Sequence, residues 1–219
     1  MTNLLNLLQL ASPVIPIGAY SYSEGLENLV EKQIITNQKQ LQSWLANELN
    51  YGSISIETAI MLRAYNSYLN QNYPKIIYWN NWLTAARETA ELREQSWQMG
   101  ASLLQLLLDL NLPINLTIAG DCNYAIAYAI GAAIWDISKL DATKAYLHSW
   151  TTNLITAGVK LIPLGQTQGQ QILHSLHPII ELNSTRIINL KDEELFTCNW
   201  GLSLASMAHQ TQYTRLFRS

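Results

Sequence analysis

Charged side chains are scarce in this chain. Lys, Arg, Asp and Glu make up 13% of its 219 residues, about half of the share that is usual in globular proteins. The 13 Lys and Arg residues do not cluster into a stripe, and the 16 Asp and Glu residues bring the formal net charge to −3. Because nucleic-acid-binding proteins normally present a basic face, this composition argues against a nucleic-acid partner.

Cysteines and long apolar runs are also scarce. The two cysteines, Cys122 and Cys198, are too few for a disulfide framework and suit a reducing compartment. The first residues, Met1-Thr2-Asn3, lack the basic region of a signal peptide. The longest apolar runs, at residues 103–112 and 124–137, are too short to cross a membrane and predict buried helices. We therefore expect a cytoplasmic protein without a membrane segment.

The sequence lacks the local patterns of several common catalytic and cofactor sites. It contains no G-x-x-x-x-G-K-[ST] phosphate loop, and the pair Gly165 and Gly169 is not followed by a Lys or Arg that would neutralise a phosphate. It contains no Glu-x-x-His pair of the kind that helical di-iron proteins use. No Ser-His-Asp or Cys-His nucleophile pairing stands out. We predict no catalytic residue, no metal site, no cofactor and no enzymatic activity.

The histidines leave one alternative open. His174 and His177 are three residues apart and share a helix face, but two imidazoles are not a complete metal site. Pro178 follows directly and predicts that the helix ends there. The alternative is a helical-bundle metal- or haem-binding enzyme, in which ligands would come from among His148, His174, His177 or His209. A visible absorption band or stoichiometric metal in the purified protein would favour that alternative.

The hydrophobic spacing is helical almost throughout. Thr36 or Asn37 is placed to cap one helix, and Asn72-Tyr73-Pro74 is a typical helix start. We predict one long helix over residues 84–110 and an Ala-rich helix over 121–138, while the β-branched alternation of strands is nearly absent. The predicted fold class is all-α, a single-domain multi-helix bundle that spans residues 1–219.

The segment at residues 12–27, S-P-V-I-P-I-G-A-Y-S-Y-S-E-G-L-E, is the most informative part of the chain. Pro13 and Pro16 fix the backbone φ angle, and Gly18 permits angles that other residues avoid. Ser21 lies three residues before Glu24, which is the spacing of a capping box. The residues alone therefore predict a stiff turn that leads into a helix at Ser21, which is compatible with an ordinary connection between helices.

This segment resembles the N-terminal signature of the UreF family, S-P-x-x-P-x-G-x-[FY]-x-[YH]-S-x-G-L-E. Three further segments resemble that family in the same order along the chain: E-L-R-E-Q-S-W-Q-M-G at 91–100, L-I-P-L-G-Q-T-Q-G-Q at 161–170 and the ending T-Q-Y-T-R-L-F-R-S at 211–219. Residues 120–124 depart from the family, because they lack the His-Pro pair that many members carry.

The resemblance implies a non-enzymatic assembly factor for urease. Members of the family form a dimer and join a second accessory protein, UreD (called UreH in some lineages), and the GTPase UreG. The complex acts on the urease apoprotein and couples GTP hydrolysis to nickel insertion. The resemblance implies that this chain bridges the UreD-type protein and the GTPase, and that it modulates GTP hydrolysis.

The resemblance also implies which residues contact partners. A chain end is usually disordered unless it is docked, and the residues alone favour a frayed terminus here. The family pattern instead implies a partner-docking tail at about 210–219, in which Phe217 acts as an anchor and Arg pairs with a carboxylate. The implied partner-binding residues are Pro13, Pro16, Gly18, Tyr20, Ser21, Ser23, Gly25, Glu27, Glu91, Arg93, Gln166, Arg215, Leu216 and Phe217.

Overall fold

The computed structural model describes residues 2–118, 120–196 and 200–219. Within these ranges the chain forms ten α-helices, two short 3-10 helices at Ala19–Ser21 and Asp192–Glu194, and no strand. This confirms the predicted all-α, single-domain bundle. The α-helices are α1 Thr2–Leu10, α2 Leu26–Glu31, α3 Gln38–Tyr51, α4 Ser53–Leu69, α5 Tyr73–Ala86, α6 Ala90–Asp109, α7 Tyr124–Ile134, α8 Lys139–Leu161, α9 Gln166–Ile188 and α10 Trp200–Gln210.

The Ala-rich helix α7 lies at the centre of the bundle. Every residue from Tyr124 to Ala133 is buried, because α1, α4, α5 and α6 pack around the helix. Small side chains allow this close packing: Gly131 lies where an added Cβ would be 3.2 Å from Leu107 of α6. The helix α6 therefore approaches Gly131 closely.

The other long helices enclose this centre. The helices α8 and α9 have 23 residues each, are joined by residues 162–165 and pack along each other. The helix α3 packs on α9, and the short α2 packs on α8 and α10. None of the helices in the described ranges is long and apolar enough to cross a membrane.

The polar caps begin two helices as predicted. The side chain of Asn37 accepts a hydrogen bond from the backbone N–H of Gln40 at 3.1 Å, and Asn72 caps α5 in the same way through Lys75 at 3.2 Å. Each cap satisfies a backbone donor that the first turn of a helix leaves unpaired.

The predicted single helix over residues 84–110 is wrong. It is divided into α5 and α6, because Arg87 leaves the helical conformation (ψ 129°) and its guanidinium Nη2 pairs with a carboxylate oxygen of Glu57 at 2.6 Å in the interior. Thr89 then caps α6 by accepting a hydrogen bond from the N–H of Leu92. The buried ion pair between Arg87 and Glu57 of α4 thus overrides the helical preference of residues 84–110.

The predicted helix end at Pro178 is also wrong. The helix α9 continues through Pro178 to Ile188, although proline removes one helical hydrogen bond and normally costs about 3 kcal/mol. Buried apolar residues on both sides of the proline, among them Leu176 and Ile180, hold the helix against the bundle. His177 therefore lies inside a long helix and not at its end.

The contact between α6 and the start of α7 gives the first testable prediction. An added Cβ at Gly100 would overlap the carbonyl oxygen of Cys122 and lie 2.7 Å from the backbone carbon of Asn123. We expect Gly100→Ala to lower the free energy of unfolding by about 1–3 kcal/mol, because backbone atoms must move apart. Urea denaturation measures this change. At the control position Gly165, an added Cβ would be 3.7 Å from its nearest neighbour, and equal losses in the two variants would contradict this account.

Candidate functional site: a docked tail

The tail, defined as residues 210–219, lies along the chain's own N-terminal segment. The backbone N–H groups of Ser23 and Glu24 donate to the Ser219 backbone oxygen at 2.6 and 3.1 Å. The hydroxyl of Ser23 donates to the same oxygen at 2.8 Å, and the N–H of Arg218 donates to the carbonyl of Ser21 at 2.8 Å. Backbone bonds thus join two segments that are almost 200 residues apart.

The carboxylate of Glu27 holds the tail from the side of α2. One of its oxygens accepts the N–H of Leu216 at 2.6 Å, and the other accepts the N–H of Phe217 at 3.0 Å. The ring nitrogen Nε2 of His209, on α10, lies 2.9 Å from the second oxygen. Glu27 is only 7% exposed, so its charge depends on these donors instead of water.

His209 joins this carboxylate to a second one. The imidazole is fully buried, and its Nδ1 lies 3.4 Å from a carboxylate oxygen of Glu91 on α6. The other oxygen of Glu91 accepts a hydrogen bond from Arg215 at 2.9 Å. Both imidazole nitrogens therefore face carboxylates, and both contacts are hydrogen bonds only when each nitrogen carries a proton. This geometry leaves neither nitrogen free for a metal or haem.

The tail buries one large side chain and exposes its neighbour. Phe217 is 5% exposed, and the ammonium of Lys160 lies 5.6 Å from the centre of its ring, within reach of a cation–π interaction. Leu216 is 64% exposed. The residue expected to anchor a partner thus lies inside its own chain in this structure, whereas Leu216 faces outward.

The predicted capping box at Ser21 and Glu24 is wrong. Glu24 has a left-handed backbone (φ 52°), so no helix runs through it, and α2 begins only at Leu26. The hydroxyl of Ser21 donates to the carbonyl of Gly18 instead of capping a helix. The carboxylate of Glu24 points inward and accepts hydrogen bonds from Trp150 on α8 and from Gln95 on α6, both at 2.9 Å. The side chains that bind Glu24 come from distant helices and determine the conformation of this turn. The local spacing of residues in the sequence cannot reveal such partners.

Gly25 is required where this turn meets α10. Its φ of 82° lies in the left-handed region, and an added Cβ would be 3.0 Å from the backbone nitrogen of Ser206 and 3.1 Å from Ala205. A side chain here would both strain the backbone and push α10 away. Since α10 carries His209, Gly25 helps to bring the imidazole to Glu27.

The structure places the remaining candidate residues in three environments. Gly18 precedes the 3-10 turn with φ 75°, and Ser23 is fully buried beneath the tail. Pro13 and Pro16 are exposed, as is Tyr20, of which 69% is accessible.

Arg93 and Gln166 lie outside the tail's hydrogen-bond network. Arg93 stacks over the ring of Trp97, one turn further along α6, with 5.9 Å between the guanidinium carbon and the ring centre. Gln166 is exposed in the first turn of α9. In that turn it is Gln168 that closes the backbone, by accepting the N–H of Gly165 at 2.8 Å.

Sequence reasoning missed Gln95 and Ser219 as parts of this site. The hydroxyl of Ser219 donates to the amide oxygen of Gln95 at 2.6 Å, and the amide nitrogen of Gln95 donates to Glu24. Gln95 thus links the tail to the N-terminal turn. Its position four residues after Glu91 places both on one face of a helix, which is the signal that was available in the sequence.

A cavity of about 140 Å³ lies beneath the N-terminal turn. Its lining includes Glu24, Glu57, Arg87 and Tyr146, and the hydroxyl of Tyr146 donates to Glu57 at 2.5 Å. Burial and the neighbouring Glu57 carboxylate raise the pKa of Tyr146 well above its ordinary value, so the phenol keeps its proton. This arrangement fixes a carboxylate and an arginine in the interior behind the tail.

Three of the four histidines meet elsewhere, on the paired faces of α8 and α9. The ring centre of His177 is 6.0 Å from that of His148 and 5.5 Å from that of His174. Burial, together with the proximity of His177, lowers the pKa of His148. No group of three or more His, Cys, Asp or Glu residues in the described ranges has the arrangement of a metal site, and Cys198 lies outside those ranges.

The Glu27 contacts predict how the tail is held. We expect Glu27→Gln to release the tail and to lower the free energy of unfolding by about 2–3 kcal/mol, because charge-assisted bonds to buried donors are lost. Hydrogen exchange should become faster at the amides of Leu216 and Phe217. Glu31→Gln removes an exposed charge from the same helix and is the matched control. Unchanged protection of both amides in Glu27→Gln would show that other contacts hold the tail.

The environment of Glu24 predicts a pH dependence. Burial is the main cause that raises the pKa of this carboxyl above its ordinary value of 4.5, although Trp150 and Gln95 donate to it. The native state therefore binds the proton more tightly than the unfolded state, and stability falls as the pH rises from 4.5 through the raised pKa. We expect Glu24→Gln to reduce the loss of unfolding free energy that accompanies a rise in pH above 4.5. The same loss in Glu24→Gln as in the wild type, with exposed Glu193→Gln as the control, would contradict this assignment.

Comparison with known proteins identifies the family of this chain. The family model UreF matches residues 35–177. A protein of Nostoc sp. named "Urease accessory protein UreF" is 58% identical over 218 residues, which cover 98% of this chain and 95% of that protein. Proteins of the same name from Microcystis aeruginosa and Chromohalobacter salexigens are 56% and 35% identical, and each alignment covers 99% of this chain and at least 94% of the relative. The chain, in which three of the four signature segments meet around the docked tail, therefore belongs to the UreF family.

Proposed function

We propose that this chain is a non-catalytic assembly factor in urease maturation. In this proposal it bridges a UreD (UreH)-type accessory protein and the UreG GTPase in the cytoplasm, as a homodimer. The complex acts on the urease apoprotein, where GTP hydrolysis accompanies nickel insertion, and this chain modulates that hydrolysis. The names of the relatives support the urease connection.

One observation carries the proposal: three signature segments converge on a single face. Glu27 of the N-terminal segment and Glu91 of α6 are both bonded to His209. Both carboxylates also bind the tail, through Phe217 and Arg215 respectively. We define these contacts and the exposed residues around them as the tail face. Segments that are far apart in sequence and share one face are the arrangement expected of a partner surface.

Exposure divides the tail face into supporting and contacting residues. Ser23, Gly25, Glu27 and Phe217 are buried, and in the proposal they set the shape of the surface. The outward residues are better placed to touch a partner, because a large exposed apolar side chain loses its contact with water on binding. These residues are Tyr20, Tyr213 and Leu216, which are 69%, 104% and 64% exposed. Arg215, with 36% of its side chain exposed, lies at their edge, and in the proposal Arg93 and Gln166 extend the surface.

Co-expression with the UreD-type and UreG-type proteins tests the proposal. Size-exclusion chromatography with light scattering should give a single ternary peak, and that complex should activate apo-urease with nickel and GTP. The same measurement on the chain alone reports whether it is a dimer. Separate peaks under every nucleotide condition would overturn the bridging function.

Substitutions at outward positions locate the partner surface. We expect Leu216→Glu and Tyr20→Ala to lower the yield of the complex and of active urease at least about tenfold, because loss of an anchor residue at an interface costs about 2 kcal/mol or more and about 1.4 kcal/mol is a factor of ten. Both side chains are exposed, so the circular dichroism spectrum and the melting temperature should not change. Phe217→Ala is less suitable, since it removes a buried side chain and would loosen the tail itself.

Leu69→Glu is the matched control. Leu69 is 52% exposed in the last turn of α4, and its neighbour Tyr68 donates to the carbonyl of Pro113. Pro113 follows the end of α6 at Asp109. Asp109 lies about 27 Å along that helix from Glu91, at about 1.5 Å per residue. Full activation by Leu216→Glu, or an equal loss in Leu69→Glu, would remove the tail face from the proposal.

A further inference from the structure

The cavity of about 140 Å³ beneath the N-terminal turn has mostly apolar walls. Large apolar side chains of the turn and of α6 form much of its lining, and they are Ile15, Ile17, Leu92 and Met99. Pro13 and Tyr20 also line the cavity and are exposed at the surface. The cavity therefore opens to solvent beside these two residues, and a small group can enter there.

The carboxyl groups in the lining already have partners within the chain. Glu24 accepts two hydrogen bonds, which come from side chains of α6 and α8. Burial also raises the pKa of the Glu24 carboxyl, which disfavours its charged form. Glu57 is paired with the guanidinium of Arg87 and accepts the hydroxyl of Tyr146. The charges of the lining are therefore compensated without a ligand.

Most hydroxyl and amide groups of the lining are also engaged. The hydroxyl of Ser149 donates to the backbone carbonyl that follows α1 at 3.0 Å, and that of Thr156 donates within α8 at 2.8 Å. The amide of Asn153 donates to the carbonyl of Tyr22 at 3.3 Å. Burial raises the pKa of the Tyr124 phenol, which therefore keeps its proton and adds no charge. The walls thus suit a ligand that brings neither a charge nor several polar atoms.

We propose that this cavity binds one uncharged apolar group of about the size of a benzene ring. Its volume is close to the roughly 150 Å³ of an engineered apolar cavity that takes up benzene or xenon. A charged group fits poorly, because Glu57 and Arg87 already neutralise each other and a further buried charge would lack a partner. The volume is below that of sites for drug-sized molecules, so a single ring or short branched chain fills it. The inference does not rest on the function proposed above.

The test is an NMR titration of the full chain with benzene, observed at the indole N–H of Trp150, which lies in the cavity wall and donates to Glu24. We expect a saturable shift with a Kd below about 5 mM, which is within the affinity that so small a ligand can reach. Pyrazine, a neutral ring of the same size, should bind at least about tenfold more weakly, because its ring nitrogens lose hydrogen bonds with water. A titration without saturation, or binding of pyrazine within tenfold of benzene, would overturn the proposal even if no variant folds.

Variants assign the binding to this cavity. Leu92→Phe should weaken the binding of benzene at least about tenfold, because the larger side chain occupies part of the small volume. Leu108→Phe makes the same change further along α6, where 50% of the leucine is exposed. It is the matched control and should bind benzene normally. Wild-type affinity in Leu92→Phe would place the benzene elsewhere and overturn the assignment.

Two sources carry this chemistry, a free apolar molecule and an apolar side chain of another protein. A titration with Nα-acetyl-phenylalanine methylamide separates them, with toluene as the reference, because toluene is the same side chain without the backbone. Binding within tenfold of toluene, or tighter, assigns the cavity to a protein side chain, because the peptide backbone then fits at the opening beside Tyr20. Binding more than about tenfold weaker assigns it to a free molecule.

Discussion

The burial of the Glu27 carboxylate is the constraint on which the tail face depends. A carboxylate removed from water must be paired, and the donors here come from two places, the backbone of Leu216 and Phe217 and the imidazole of His209. The short helix α2, the C-terminal helix α10 and the tail therefore stabilise one another. None of them is large enough to bury much surface alone. A partner protein would meet a surface whose parts are held in place before it binds, which lowers the entropic cost of association.

Several of the few charged side chains of this protein lie in its interior. Glu57 pairs with Arg87 and accepts the hydroxyl of Tyr146, and this interior cluster divides what would otherwise be one helix into α5 and α6. Buried ion pairs add little net stability when compared with apolar packing, but they are costly to break. Their effect is to specify one arrangement of the helices. The same cluster separates the cavity under the N-terminal turn from a second cavity between the α5–α6 connection and the start of α4, since Glu57 and Arg87 line both.

Local signals in the sequence predicted local features well. The caps at Asn37 and Asn72 are confirmed because each acts on the turn that follows it, and the all-helical class follows from spacing alone. The features that local reasoning missed depend on distant partners. Glu24 does not cap a helix, because Trp150 and Gln95 bind it, and α9 continues through Pro178 because its apolar face is buried. For the tail, family patterns identified the segment, but only the fold revealed that Phe217 points inward and Leu216 outward.

The contacts of the tail also determine when this surface can exist. Ser23 bonds to a residue 196 positions away, and Glu27 bonds to one 190 positions away. Contacts of such large sequence separation form late in folding, since the loop between them must first be ordered. A chain emerging from the ribosome can fold its N-terminal helices early, but the buried carboxylate of Glu27 has no backbone donors until residues 216 and 217 have been synthesised. In the function proposed above, competence to dock is therefore acquired only once the tail has been synthesised, so that an unfinished chain would not occupy a partner.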